Sequence, residues 1–146
     1  IQAALGLVSL KKYDSQTLPN RRKQFELYNS YLGAYEWAAL PEYQTDTSSS
    51  SCHIYPIWIK GITEKQRDAI MEGVFADDIA VNVHFRPIPM LSYYAGKGFT
   101  MEGLDNTYLL FSGEITLPIY RDLTDEQIKM VSDSVIRSVE KVIQLT

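Results

Sequence analysis

From Ile79 to Arg86 the chain alternates cleanly between apolar and polar positions. Ile79, Val81, Val83 and Phe85 fall on one face of a strand, and Ala80, Asn82, His84 and Arg86 on the other. The apolar face requires a core. The polar face aligns an amide, an imidazole and a guanidinium at two-residue spacing. Pro87 and Pro89 then stop the ladder, because proline has no N–H to donate. Donors that lead into a Pro-x-Pro loop suit an anionic or sugar-like ligand. They equally suit an antiparallel sheet that keeps one polar face in water.

The other periodic stretches supply the frame. Ile1, Ala4, Leu5 and Val8 follow helical spacing, and Leu7 and Leu10 make that helix apolar nearly all round, which predicts burial on several sides. After a break at Ser15 to Pro19, a helix is predicted from Pro19 to Tyr35 with the stripe Phe25, Tyr28, Leu32 and Tyr35. Its basic start, Arg21-Arg22-Lys23, opposes the helix dipole, so a neighbouring acid or a single kinked helix is expected. Trp37 to Ser51 reads as an aperiodic, mobile linker. Cys52 to Lys60 is a strand with apolar residues on both faces, hence central, although Pro56 argues for a bulge or an edge.

Two capping boxes, Thr63 to Gln66 and Thr124 to Gln127, open two further helices. The first is expected to bury Ile70, Val74 and Phe75. The second is expected to bury Ile128, Val131, Val135, Val139 and Val142. Asp77-Asp78 is the turn between the first of these helices and the Ile79 strand, which gives a strand, helix and strand crossover. Met90 to Tyr94 allows one helical turn, Leu104 to Phe111 a short helix, and Glu114 to Leu117 a short strand closed by Pro118. The predicted fold class is α+β: a two-layer α/β sandwich with a small, mainly antiparallel sheet of three to four strands, helices on one face, and a helical arm in front.

Composition narrows the function. A net charge of −4 and a pI near 5.1 lack the basic footprint of a general nucleic-acid binder. The single cysteine, Cys52, permits no internal disulfide, and a reducing, cytoplasmic setting is expected. No apolar run approaches a membrane span. The chain begins inside an apolar helical pattern and without methionine, which suggests a fragment with an upstream neighbour.

No self-contained active site is legible. Cys52 and His53 are strand neighbours and point to opposite faces, so they do not form a nucleophile pair. His53 and His84 lie on different strands without a supporting carboxylate motif, a weak metal signal. Glu114 and Asp77-Asp78 are the carboxylates to consider, the latter first as a turn. Gly96-Lys97-Gly98 lacks the preceding strand and the spacing of a phosphate loop. His84, beside Asn82 and Arg86, is the residue with the strongest functional signal. Two readings stand on residues alone: a free-standing α+β module with an anion site at Asn82, His84 and Arg86, or an interaction domain docking through Ile1 to Leu10.

In series, IQAALGLVSLKKYD, NRRKQFELYNSYL, CHIYPIWI, IAVNVHFRPIPMLSYY and ITLPIYRDLTDEQIKMVSDSV resemble the C-terminal third of the DegT/StrS family. These are fold-type I aminotransferases dependent on pyridoxal phosphate (PLP) that aminate keto-sugars carried on nucleotides. The resemblance implies that residues 1–38 form an arm leading from a missing large domain and residues 39–146 the small C-terminal domain. It implies that the cofactor-bearing lysine and the acid that pairs with the pyridine nitrogen lie upstream. PLP therefore belongs to the full-length parent, with no cofactor held stably by this chain and no catalytic residue in it. It implies a sugar nucleotide near His84, Phe85, Arg86 and Asn82, and glutamate as the amino donor. A homodimer, or self-association through the arm, is expected. Phe85 stands where a tyrosine is common, which removes one hydroxyl contact, and Arg86 where many members carry another residue.

Overall fold

A computed structural model describes residues 1–144. Its sheet has three strands, β1 (Ala38–Ala39), β2 (Tyr55–Ile59) and β3 (Glu114–Leu117), in the order β1-β2-β3 and antiparallel throughout. The helices are α1 (Gln2–Lys11), α2 (Leu18–Leu32), α3 (Glu64–Phe75), α4 (Ser92–Ala95), α5 (Asp105–Gly113) and α6 (Asp125–Gln144). Tyr55, Ile57 and Ile59 of β2 and Ile115 and Leu117 of β3 turn one sheet face inward. Against it lie Phe25, Tyr28 and Leu32 of α2, Ile70 and Val74 of α3, and Ile128, Val131, Val135 and Val139 of α6. The two-layer expectation is met, with the sheet at the smaller of the anticipated sizes.

β2 is central even though it contains Pro56. Pro56 pairs with Thr116 in register, and Thr116 directs its own N–H and C=O away from β2, to the backbone of Asn82 (2.7 and 3.2 Å). The pair is therefore a non-hydrogen-bonded one, and the N–H that Pro56 lacks would face the β1 side. There β1 reaches only Trp58 and Ile59, so no ladder bond is lost.

Several expectations are corrected. The segment from Ile79 to Arg86 is not a strand. It makes one antiparallel bridge, Asn82 to Thr116, and then leaves the sheet. Side chains take over its backbone donors: Asn82 Oδ1 accepts from the Val83 N–H at 2.8 Å and Glu114 Oε2 from the His84 N–H at 2.9 Å. Because β3 is antiparallel to both β2 and this segment, the latter runs parallel to β2 with β3 inserted between them. The anticipated crossover survives without its second strand.

Ser15 to Pro19 does not break the helix either. Tyr13–Thr17 form a π-type turn in which the Thr17 N–H reaches Lys12 O at 3.2 Å, so α1 and α2 are one interrupted helix. Pro19 falls in the first turn of α2, where its missing N–H does least harm. The basic start of α2 also finds its acid: Lys23 Nζ lies 2.8 Å from Asp125, at the head of α6. Trp37 to Ser51 contains β1 and a turn closed by a bridge between Gln44 and Ser49. In α3 the buried stripe is Arg67, Ile70 and Val74, and Phe75, one position off it, is exposed.

α3 begins with both halves of the capping box: Thr63 Oγ1 accepts from the Gln66 N–H, and Gln66 Oε1 from the Thr63 N–H. Thr63→Ala removes one half and is expected to lower stability by about 1 kcal/mol, measured by urea unfolding, with Thr63→Ser close to wild type. At the other end, Asp77 accepts from Ser134 Oγ at 2.6 Å and Arg137 at 2.8 Å, both on α6. These bonds hold its carboxyl below the ordinary aspartate range.

α1 is the exception to burial. None of its residues is buried, and Leu5, Leu7, Val8 and Leu10 are all more than half exposed. No helix among the described residues is long and apolar enough to cross a membrane.

Candidate functional site

The sheet face opposite the helical core carries Pro56, Trp58, Glu114 and Thr116, by the alternation of β2 and β3. The single bridge between Asn82 and Thr116 places His84 beside this face. Two bonds then join His84 to β3, and a third links its two partners. Its backbone N–H donates to Glu114 Oε2 at 2.9 Å. Its ring Nδ1 lies 2.9 Å from Thr116 Oγ1. The Thr116 hydroxyl donates to Glu114 Oε1. Both oxygens of one carboxylate are thus committed to holding one histidine.

Glu114 and Thr116 are buried while His84 is half-buried. Burial pushes the Glu114 carboxyl above the ordinary glutamate range, and the bonds from Thr116 and His84 oppose that shift. The Arg67 guanidinium also opposes it. Arg67 is itself buried, donating to Phe111 O at 3.0 Å and stacking 4.8 Å from the Phe111 ring. A carboxyl raised in the folded state adds stability that is complete below its unfolded pKa and is lost as pH rises through the folded value. The stability of the wild type relative to Glu114→Gln is therefore expected to decline from acid toward neutral pH. Paired urea titrations across that range check it.

His84, Asn82 and Thr116 line an open cleft of about 340 Å³ that also contains His53 and Pro118. The two histidines do share this cleft. His53 Nδ1 is 3.1 Å from Ser51 Oγ, and no group of three or more potential metal-ligating residues occurs among the described residues. Asn82 turns its Oδ1 onto its own chain, leaving its amide NH2 toward solvent. Phe85 is 77 % exposed and meets the His84 ring edge-on, with 4.6 Å between centroids. Arg86 is exposed and does not line the cleft. The structure therefore brings Asn82 and His84 together, sets Phe85 against His84, and leaves Arg86 beside them on the surface.

Glu114 and Thr116 complete the site. Glu114 is visible in the sequence as a carboxylate. Thr116 carries no signal, since a threonine in a short strand is ordinary. Gly113 also matters: a Cβ there would lie 2.6 Å from Trp58 Nε1 and 2.7 Å from Ile59 O. Only glycine lets α5 run straight into β3 at this distance and deliver Glu114 to its position.

A lysine that binds a carbonyl cofactor must shed its proton, which a desolvated pocket promotes. All eight lysines of the chain are exposed. Lys23 and Lys129 are committed to carboxylates, Lys60 to Glu36 O and Lys97 to the Tyr93 ring.

Known proteins share both the sequence and the shape. The profile of the DegT/DnrJ/EryC1/StrS aminotransferase family matches residues 1–136. The UDP-4-amino-4,6-dideoxy-N-acetyl-beta-L-altrosamine transaminase of Campylobacter jejuni is 29% identical over 146 residues, 97% of this chain and 37% of that protein. Among solved structures, Spr1654 of Streptococcus pneumoniae, assigned as a sugar aminotransferase, superposes in its apo form with a TM-score of 0.92 at 34% identity. The match covers 98% of this chain and 35% of that one, and the same protein has been solved with PLP. PseC of Helicobacter pylori, an aminotransferase of pseudoaminic acid biosynthesis, superposes with a TM-score of 0.85 at 25% identity, over 96% of this chain and 37% of its own. The chain spans little more than a third of the relatives it matches. With the resemblance of its motifs, the family profile and the C-terminal fold in agreement, the chain belongs to the DegT/DnrJ/EryC1/StrS aminotransferase family.

Proposed function

We propose that this chain is the C-terminal part of a PLP-dependent aminotransferase that transfers an amino group, from glutamate, to a keto-sugar nucleotide. The observation that carries the reading is the family match over residues 1–136 together with the 34% identical fold of Spr1654. In this reading residues 1–38 are the arm entering from a large domain and residues 39–146 the small domain, with α2 anchoring the arm in the small domain's core. The exposed apolar surface of α1 is what the large domain, or a second subunit of a homodimer, covers. PLP supplies the electron sink for amino transfer and belongs to the large domain.

The chain's own residues serve the substrate. His84 and the Asn82 amide offer hydrogen bonds from the cleft, Arg86 offers a cation to the diphosphate, and Phe85 offers a ring face to the sugar. The relatives named for a UDP-linked amino sugar support a UDP-sugar as the substrate class. Cytoplasmic synthesis of amino sugars for surface polysaccharides fits the reading.

Borohydride reduction of the purified chain with PLP, followed by peptide mass spectrometry, tests this division of labour. Scattered, sub-stoichiometric modification of surface lysines is expected. One pyridoxyl group per chain on a single lysine would overturn it.

A further inference from the structure

The bonds around His84 specify more than its place. A threonine hydroxyl has one proton to give. Thr116 gives it to Glu114 Oε1, so toward the His84 ring its oxygen acts as acceptor. The proton of the neutral imidazole must then sit on Nδ1. A second strap enforces the same geometry, because Glu114 Oε2 takes the His84 backbone N–H at 2.9 Å. The ring cannot turn to exchange its nitrogens without breaking the bond to Thr116, and the backbone cannot shift without breaking the bond to Glu114. Nε2 makes no hydrogen bond among the described residues, and His84 lines the open cleft.

We propose that Glu114 and Thr116 are positioning residues that lock His84 as its Nδ1–H tautomer, so that Nε2 is the atom offered to the ligand. The deeper half of this inference, that the ligand is a sugar nucleotide, rests on the function proposed above. The tautomer itself does not. A neutral ring so held presents a lone pair to a sugar hydroxyl. A protonated one presents an N–H to a phosphate oxygen, with its other N–H still satisfied by Thr116 and the charge faced by the Glu114 carboxylate. The same site therefore serves either end of a sugar diphosphate without rearrangement. A carboxylate acting through a hydroxyl, rather than on the ring directly, orients the imidazole while keeping the carboxylate buried and away from an anionic ligand.

Two-bond 1H–15N correlation spectra of the uniformly labelled chain, at a pH where the ring is neutral, read the tautomer directly. His53 serves as the internal comparison, being the only other histidine. The expected result is a protonated Nδ1 and a bare Nε2 for His84. Thr116→Val should shift His84 toward the Nε2–H form that free imidazole prefers, and Thr116→Ser should restore the wild-type pattern. Glu114→Gln, which exchanges one acceptor for a donor, should loosen the preference without reversing it. The wild-type spectrum is decisive without any variant: an Nε2–H signal for His84 overturns the proposal. An unchanged tautomer in a folded Thr116→Val overturns the role of Thr116. Adding UDP to the wild type then separates the two claims. Movement of the Nε2 resonance supports both. A locked Nδ1–H tautomer whose Nε2 ignores UDP and a UDP-sugar leaves the positioning intact and contradicts the ligand reading.

Discussion

Ile57→Ala is expected to lower the free energy of unfolding by about 2–5 kcal/mol, toward the upper end of that span. Ile57 is the middle residue of the central strand and fully buried, paired with Ile115 across the sheet. Helices α2, α3 and α6 all contribute to the cluster around it. Truncation removes transfer free energy and leaves a cavity. The surroundings are poorly able to collapse, because β3 pins the strand from Tyr55 to Trp58. Ile57→Val, which removes one methylene, should cost about 1 kcal/mol. Urea unfolding followed by far-UV circular dichroism measures both, and an unchanged denaturant slope would show that the loss is one of native stability. A loss below about 1 kcal/mol for the alanine variant would mean that the sheet face is not packed as described.

Gly113→Ala is the second large effect, and it joins the fold to the site. The new Cβ would lie 2.6 Å from the Trp58 indole nitrogen and 2.7 Å from the Ile59 carbonyl. An indole can swing aside, but the carbonyl belongs to the central strand and has nowhere to go. Overpacking of this kind costs about 1–3 kcal/mol. Alanine's better helix propensity returns only a fraction of that at a helix end. The displacement should break the bond from Trp58 Nε1 to Leu109 O, 3.1 Å long in the native chain. It should also move Glu114, the next residue, off His84. Thermal unfolding reads the first effect, tryptophan fluorescence the second and the His84 ring resonances the third. A wild-type melting curve with unaltered His84 resonances would refute the close approach.

The fold was legible in the sequence wherever a pattern had one physical cause. The stripe from Ile128 to Val142 is set by burial alone, and α6 buries four of its five named positions, with Val142 half-buried near the helix end. The capping box at Thr63 is a local hydrogen-bond exchange, and it forms as written. The Ile79 stretch misled because alternation reports which side chains are buried, not what satisfies the backbone. Ile79 and Val81 are buried as expected, yet beyond Asn82 the backbone donors go to side chains. The π-type turn ahead of α2 was hidden for a related reason: a proline near a helix start is compatible with a break or with continuation. Asn82 and His84 were visible because polar residues alternated with apolar ones. Their pairing with Glu114 and Thr116 was not, since these approach from about thirty residues away, at a distance only the fold supplies.

The most direct test of the account is a titration of the 15N-labelled chain with UDP and with UDP-N-acetylglucosamine, followed by backbone amide shifts. The account predicts saturable shifts centred on Asn82, His84, Phe85 and Arg86, and a loss of affinity of about tenfold in His84→Ala, the size of one charge-assisted hydrogen bond. Shifts centred elsewhere, or equal affinity in the folded His84→Ala chain, would contradict a sugar-nucleotide site on this face of the sheet.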